Sequence, residues 1–113
     1  MTEQLIESVM RSFVTEVKKE YKDKLKSIYL FGSCARKDYD DESDIDVMIL
    51  LDVSEAELGS ARRQIYPIIS KLDEEYNYDI LLSPIIQRES TYKTFLSSVP
   101  FYQTIKNEGI KYV

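Results

Sequence analysis

Two short runs of this chain carry residue types that together could manage a polyphosphate and a divalent cation. The first is Ile28-Tyr29-Leu30-Phe31-Gly32-Ser33-Cys34-Ala35-Arg36, an apolar run that ends in glycine and serine. The second follows an acidic loop and reads Ser43-Asp44-Ile45-Asp46-Val47-Met48-Ile49-Leu50-Leu51, an apolar run that begins with two carboxylates. The stretch from Ile45 to Leu51 is short and rich in branched apolar residues, which favours a buried strand over a helix. In a strand, side chains at i and i+2 share a face, so Asp44 and Asp46 project together, about 7 Å apart along the backbone. Carboxylates that close repel one another unless a cation lies between them or one takes up a proton. Hard oxygen ligands on a rigid strand, with room for waters and substrate phosphates, suit magnesium. Manganese also fits.

Gly32 and Ser33 supply the complementary half. Glycine at a strand end lets the backbone turn sharply and approach a ligand closely. If Cys34-Ala35-Arg36-Lys37 opens a helix, its free N–H groups and the Ser33 hydroxyl face an anion. Arg36 would then add a cation near a triphosphate. Taken singly, Gly-Ser is an ordinary turn and Asp-x-Asp a solvated strand end. The fixed spacing of the two, in a strand–turn–helix–strand context, makes a joint site the better reading.

The elements that must hold these residues are legible on either side. From Glu3 to Lys22, Leu5, Val9, Phe13, Val17 and Tyr21 recur every four residues, the pattern of an amphipathic helix. A lysine-rich turn leads into a strand over Ile28–Phe31. Past the Asp strand, Ser54-Glu55-Ala56-Glu57 forms a capping box that opens a helix with Leu58, Ala61, Ile65, Ile68, Ile69 and Leu72 inward. Pro67 should kink or divide that helix. Asn77 marks a turn into a third strand, Tyr78-Asp79-Ile80-Leu81-Leu82, which Pro84 is expected to stop. Two short helices should close the chain, the second opening at Pro100 and ending at Gly109. The acidic loop of Asp38, Asp40, Asp41 and Glu42 is expected to be merely solvated, since it would repel a triphosphate.

Composition narrows the function classes. With 113 residues there is chain for one core and not for a separate acceptor-binding domain. The 43% apolar and 31% charged content is that of an ordinary soluble globular protein. A net charge of −5 argues against direct nucleic-acid binding, which usually shows a basic face. The single cysteine, Cys34, cannot form an internal disulfide and reads as a buried thiol beside the motif. Histidine is absent, which excludes Ser–His and Cys–His triads and disfavours zinc. No apolar run reaches membrane-spanning length and no secretory leader is seen, so neither a membrane partner nor secretion is expected and a cytoplasmic location is.

The spaced pattern Gly32-Ser33-x10-Asp44-x-Asp46 resembles the signature of the polymerase-beta-type nucleotidyltransferase superfamily. The small size is similar to its minimal nucleotidyltransferases, the MNT or MntA-like antitoxins. The likeness spans most of the chain, including the tail Pro100-Phe101-Tyr102-Gln103-Thr104-Ile105 and Glu108-Gly109-Ile110. Lys37 departs from the glycine common after the family's arginine, which predicts a slightly different helix entry there. The resemblance implies an α/β (α+β) fold with a small mixed sheet flanked by helices, and residues 1–113 as a single minimal domain. It implies that Asp44, Asp46 and a third acid, Asp79, serve catalysis and bind Mg²⁺, and that Gly32, Ser33 and Arg36 hold the nucleotide. Asp79 would accept the proton of the attacking hydroxyl or ligate metal. By the same resemblance the donor is ATP and the acceptor a tyrosine of a partner HEPN-type RNase toxin, in a hetero-oligomer. A homodimer is compatible with the reading. Two rivals stand beside it: a small-molecule transferase of the aminoglycoside-modifying type, and a non-catalytic antitoxin that acts by binding alone.

Overall fold

A computed structural model describes all of residues 1–113. Its centre is a four-stranded mixed sheet in the order β3-β2-β1-β4, made of β1 (Leu25–Phe31), β2 (Ile45–Leu51), β3 (Leu82–Arg88) and β4 (Ile110–Lys111). β1 and β2 run antiparallel with Phe31 opposite Asp46. β2 and β3 run parallel with Asp46 opposite Ser83. β4 adds two residues to the outer edge of β1, pairing Ile110 with Leu30. The expected α/β architecture, a small mixed sheet flanked by helices, is the one observed.

Alternation along the strands gives the sheet two different faces. Ile45, Val47, Ile49 and Leu51 of β2 and Ile28 and Leu30 of β1 point to one face, where they join the main core. That core is closed by α1 (Glu3–Tyr21), whose Ile6, Val9, Met10, Phe13 and Val17 are buried, and by α4 (Ile65–Glu75). Thr2 caps α1 by accepting a hydrogen bond from the Leu5 amide at 3.1 Å. The opposite face holds Met48 and Leu50 with Tyr92 of α5 (Glu89–Phe95) and Ile105 of α6 (Pro100–Glu108). Phe31 and Asp46 lie on this second, more thinly covered face, because Asp46 shares the parity of Met48 and Leu50.

The helix expected from Ser54 to the region of Leu72 is two helices, α3 (Glu55–Arg63) and α4, separated at Gln64. The Ser54–Glu57 capping box forms as expected. Pro67 falls in the first turn of α4, where its missing N–H deprives no carbonyl. Division, rather than a kink, is the outcome. β1 begins three residues earlier than its apolar run, at Leu25, and pairs along its length with β2.

The third strand needs a larger correction. Tyr78–Leu81 is not strand; β3 starts at Leu82 and carries Pro84 inside it. Asn77 and Tyr78 take left-handed backbone angles (φ 57° and 60°), and the Tyr78 amide donates to Asp73 O at 2.7 Å. These bonds wind off the end of α4 and use residues that the apolar pattern assigns to a strand. Pro84 is tolerated because β3 is an edge strand, so its ring nitrogen can face away from β2 without breaking the ladder.

Candidate active site

The turn between β1 and β2 is built around Gly32, whose backbone angles (φ 72°, ψ −155°) belong to a region that only glycine populates freely. A second requirement acts on the same residue. A Cβ on Gly32 would lie 2.5 Å from Asp46 Oδ2, so the turn and the carboxylate share space that no larger residue leaves. The single helical turn α2 (Ser33–Arg36) follows, with the Ala35 and Arg36 amides both donating to Gly32 O at 3.1 Å. The Ser33 and Cys34 amides stand at its start, where a helix offers them no carbonyl. Lys37 ends this turn at φ 66°, the left-handed position that glycine takes without strain, which is where the departure from the family pattern falls.

Cys34 fastens the two motif halves together from behind. It is buried, and its Sγ donates to Asp44 O at 3.4 Å. Burial pushes the thiol's pKa up, and the Asp46 carboxylate adds to the effect. The side chain is a buttress rather than a nucleophile. The acidic loop is itself ordered for this purpose: the Asp40 amide donates to Ser43 Oγ at 2.9 Å, and the Glu42 amide to Asp40 Oδ1 at 2.8 Å. This knot delivers Asp44 to the start of β2.

Asp44 and Asp46 are half-buried at that strand start. Burial holds the Asp46 carboxyl above its ordinary value of 3.8, the neighbouring Asp44 charge raises it further, and the Arg36 cation offsets part of the rise. Arg36 is exposed and held by two acids, Asp38 at 3.2 Å and Glu108 of α6 at 3.7 Å. Asp38 was expected to be idle and Glu108 carried no motif. The Asp38 pair is local, two residues along the chain, whereas the Glu108 pair depends on how α2 and α6 meet and could not be read from spacing.

Asp79 stands apart. It is exposed, in the turn before β3, with its amide donating to Tyr76 O at 3.1 Å. The segment is tied to the site's end of the sheet, because the Ile45 amide donates to Leu81 O at 2.8 Å. Within β3, Ser83 pairs with Asp46 and shares its face, while Asp79 lies four residues earlier, outside the strand. No three His, Cys, Asp or Glu side chains come together as a metal-holding group. The protein thus offers a cation two carboxylates and not a full cage. Such a set fits a metal that keeps several waters and takes its other ligands from substrate phosphates, as magnesium does.

No helix is long and apolar enough to cross a membrane. Residues 10–111 match the family model described as the nucleotidyltransferase domain. A protein of Methanocaldococcus jannaschii, provisionally named a protein adenylyltransferase, is 39% identical over 94 residues, covering 83% of this chain and 91% of the relative. A crystal structure from Sulfolobus solfataricus, provisionally named a nucleotidyltransferase, superposes with a TM-score of 0.64 at 20% identity, covering 97% of this chain and 81% of the other. A crystal structure of a mutant MntA–HpeT toxin–antitoxin superposes with a TM-score of 0.52 at 16% identity, covering 98% of this chain and 72% of the other. Those two likenesses concern the fold; the domain match and the 39% identical relative establish that this chain belongs to the nucleotidyltransferase-domain family and is a nucleotidyltransferase.

Proposed function

We propose that this chain transfers AMP from ATP to a hydroxyl of a partner protein, with Gly32, Ser33, Asp44 and Asp46 as the core of its site. The observation that carries the proposal is the close approach of Gly32 to Asp46, which packs the glycine turn against a carboxylate so tightly that a Cβ would clash with it. A structural turn would have no need to meet a charged side chain so closely.

In this reading the backbone of Gly32 and Ser33 and the Ser33 hydroxyl hold the donor's phosphates, and Arg36 leaves Asp38 and Glu108 to pair with them. Asp44 and Asp46 would hold Mg²⁺, or Mn²⁺ in its place. Bound there, the metal would offset phosphate charge and stabilise the entering and leaving oxygens. The acceptor hydroxyl attacks the α-phosphorus in line: a new O–P bond forms, the bond to the β-phosphate oxygen breaks, and pyrophosphate leaves. Asp79, exposed in the turn that leads into β3 beside Asp46's strand, would receive the hydroxyl's proton once an acceptor brings it close. The site asks for positioning and charge, not covalent catalysis, which suits a chain without histidine.

A protein acceptor is supported by the name of the M. jannaschii relative, and a toxin partner by the toxin–antitoxin assembly of the structural neighbour. The specific acceptor proposed is a tyrosine of a HEPN-type RNase toxin. The test is incubation with Mg²⁺, candidate acceptors and ATP labelled either at the α- or the γ-phosphate. Label from the α position alone should become bound to the partner. Label from the γ position on protein would indicate phosphorylation and overturn the proposal. Label on a small hydroxyl compound would move the acceptor to the small-molecule class.

A further inference from the structure

We infer that Phe101 is the platform on which the base of the donor nucleotide stacks. The residue sits in the first turn of α6, and 42% of it is exposed. Its neighbours explain where it points. Phe101 meets Phe31 edge-on, with ring centroids 5.5 Å apart at 83°. Phe31 is the residue immediately before Gly32 and lies directly opposite Asp46 on the same sheet face. An exposed aromatic ring therefore stands one side chain away from the carboxylate and the phosphate-binding turn.

The arrangement is braced from behind. Phe101 also approaches Tyr102 at 6.1 Å, and Tyr102 packs edge-on to the buried Tyr92 at 5.2 Å. The Tyr102 hydroxyl accepts from the Gln87 amide at 3.3 Å, anchoring that helix start to β3. The other end of α6 is fixed at the site as well, where Glu108 meets Arg36. Gly109 packs so closely on the backbone at Ile105 and Leu30 that a Cβ there would clash. One helix thus carries both an aromatic ring beside Phe31 and a carboxylate beside Arg36.

The platform has meaning only if donor phosphates bind at Gly32 and Ser33, as proposed above. Given that, the base is separated from the α-phosphate by one ribose and must come to rest on a nearby surface. The exposed Phe101 ring, set at 83° to Phe31, supplies an apolar surface on the side of Phe31 that pairs with Asp46, and base–aromatic stacking is favourable for any base because each has a π-face. Purines, with the larger ring system, should profit most.

Binding of Mg·ATP and of Mg·tripolyphosphate is measured by calorimetry on the parent chain and on Phe101→Ala and Phe101→Tyr. Tripolyphosphate lacks a base, so it reports on the phosphate turn alone. Phe101→Ala should weaken ATP about tenfold, leave tripolyphosphate unchanged, and be restored by Phe101→Tyr. The chain contains no tryptophan, so Phe101→Trp also places a unique fluorophore at the site. Its emission should respond to Mg·ATP and not to Mg·tripolyphosphate, which settles the matter even if the alanine variant folds poorly. Equal loss of both ligands, or a silent tryptophan with undiminished ATP binding, overturns the platform while leaving the phosphate site standing. Failure of the parent chain to bind either ligand overturns the nucleotide reading itself.

Discussion

Gly32 and Asp46 occupy each other's space: an added methyl on the glycine would lie 2.5 Å from the Asp46 carboxylate oxygen. The backbone at Gly32 (φ 72°, ψ −155°) independently demands glycine. Gly32→Ala should therefore cost about 1–3 kcal/mol of stability from backbone strain. It should also push the Asp46 carboxylate out of position and lower transfer by about a hundredfold. Thermal melts and initial rates on the same preparation check both. Full activity would show that the close contact is incidental.

Removing charge at the carboxylate pair should separate activity from stability. Asp46 titrates above its ordinary value because of burial and the adjacent Asp44. The folded metal-free chain thus holds that proton more tightly than the unfolded chain, and its stability falls as pH rises from the ordinary carboxylate value of 3.8 upward. Asp46→Asn should remove this dependence and melt no lower than the parent at neutral pH, while transfer is lost. Asp44→Asn should likewise lose transfer. A variant that loses activity only because it unfolds would count against the catalytic assignment.

Two carboxylates without a full cage should bind a cation weakly until phosphates complete its shell. ATP should in turn bind poorly when unaccompanied, because Asp44 and Asp46 repel it. Calorimetry with Mg²⁺ and with EDTA should show a marked gain in ATP affinity with metal. Equal affinities in the two conditions would remove the metal site.

Lys37 ends α2 in a left-handed conformation at φ 66° and is exposed. Lys37→Gly should relieve that strain and leave stability unchanged or raised by up to about 1 kcal/mol. Denaturant titration checks it, and a loss of more than that amount would show that the weak Lys37–Glu3 pair at 3.5 Å matters more than the backbone.

Much of this was legible in the chain before its fold. The amphipathic spacing of α1, the Ser54 cap, the Pro100 and Gly109 bounds of α6 and the β2 run all depend on local patterns, and each formed where expected. The approach of Gly32 to Asp46 also followed the motif's order, because Phe31 pairs with Asp46 where β1 and β2 run side by side. The third strand did not. Tyr78 to Leu82 is apolar enough to be a strand, but left-handed Asn77 and Tyr78 continue the α4 cap, and a proline that would end a central strand survives in an edge one. Phe101 and Glu108 could not have been found from pattern at all. Each reaches the site through contacts of α6 with β1 and α2 that no local spacing encodes.

The most direct measurement is the intact mass of the proposed toxin partner after incubation with this chain, ATP and Mg²⁺. The account predicts that the partner gains whole AMP units, located on a tyrosine hydroxyl, with the parent chain. It predicts no gain with Asp46→Asn and a slow gain with Asp79→Asn, which keeps the shape but loses the proposed base. A partner silenced by the parent chain with no mass added, and silenced equally by Asp46→Asn, would show that neutralisation proceeds by binding alone and would contradict transfer as the function of this site.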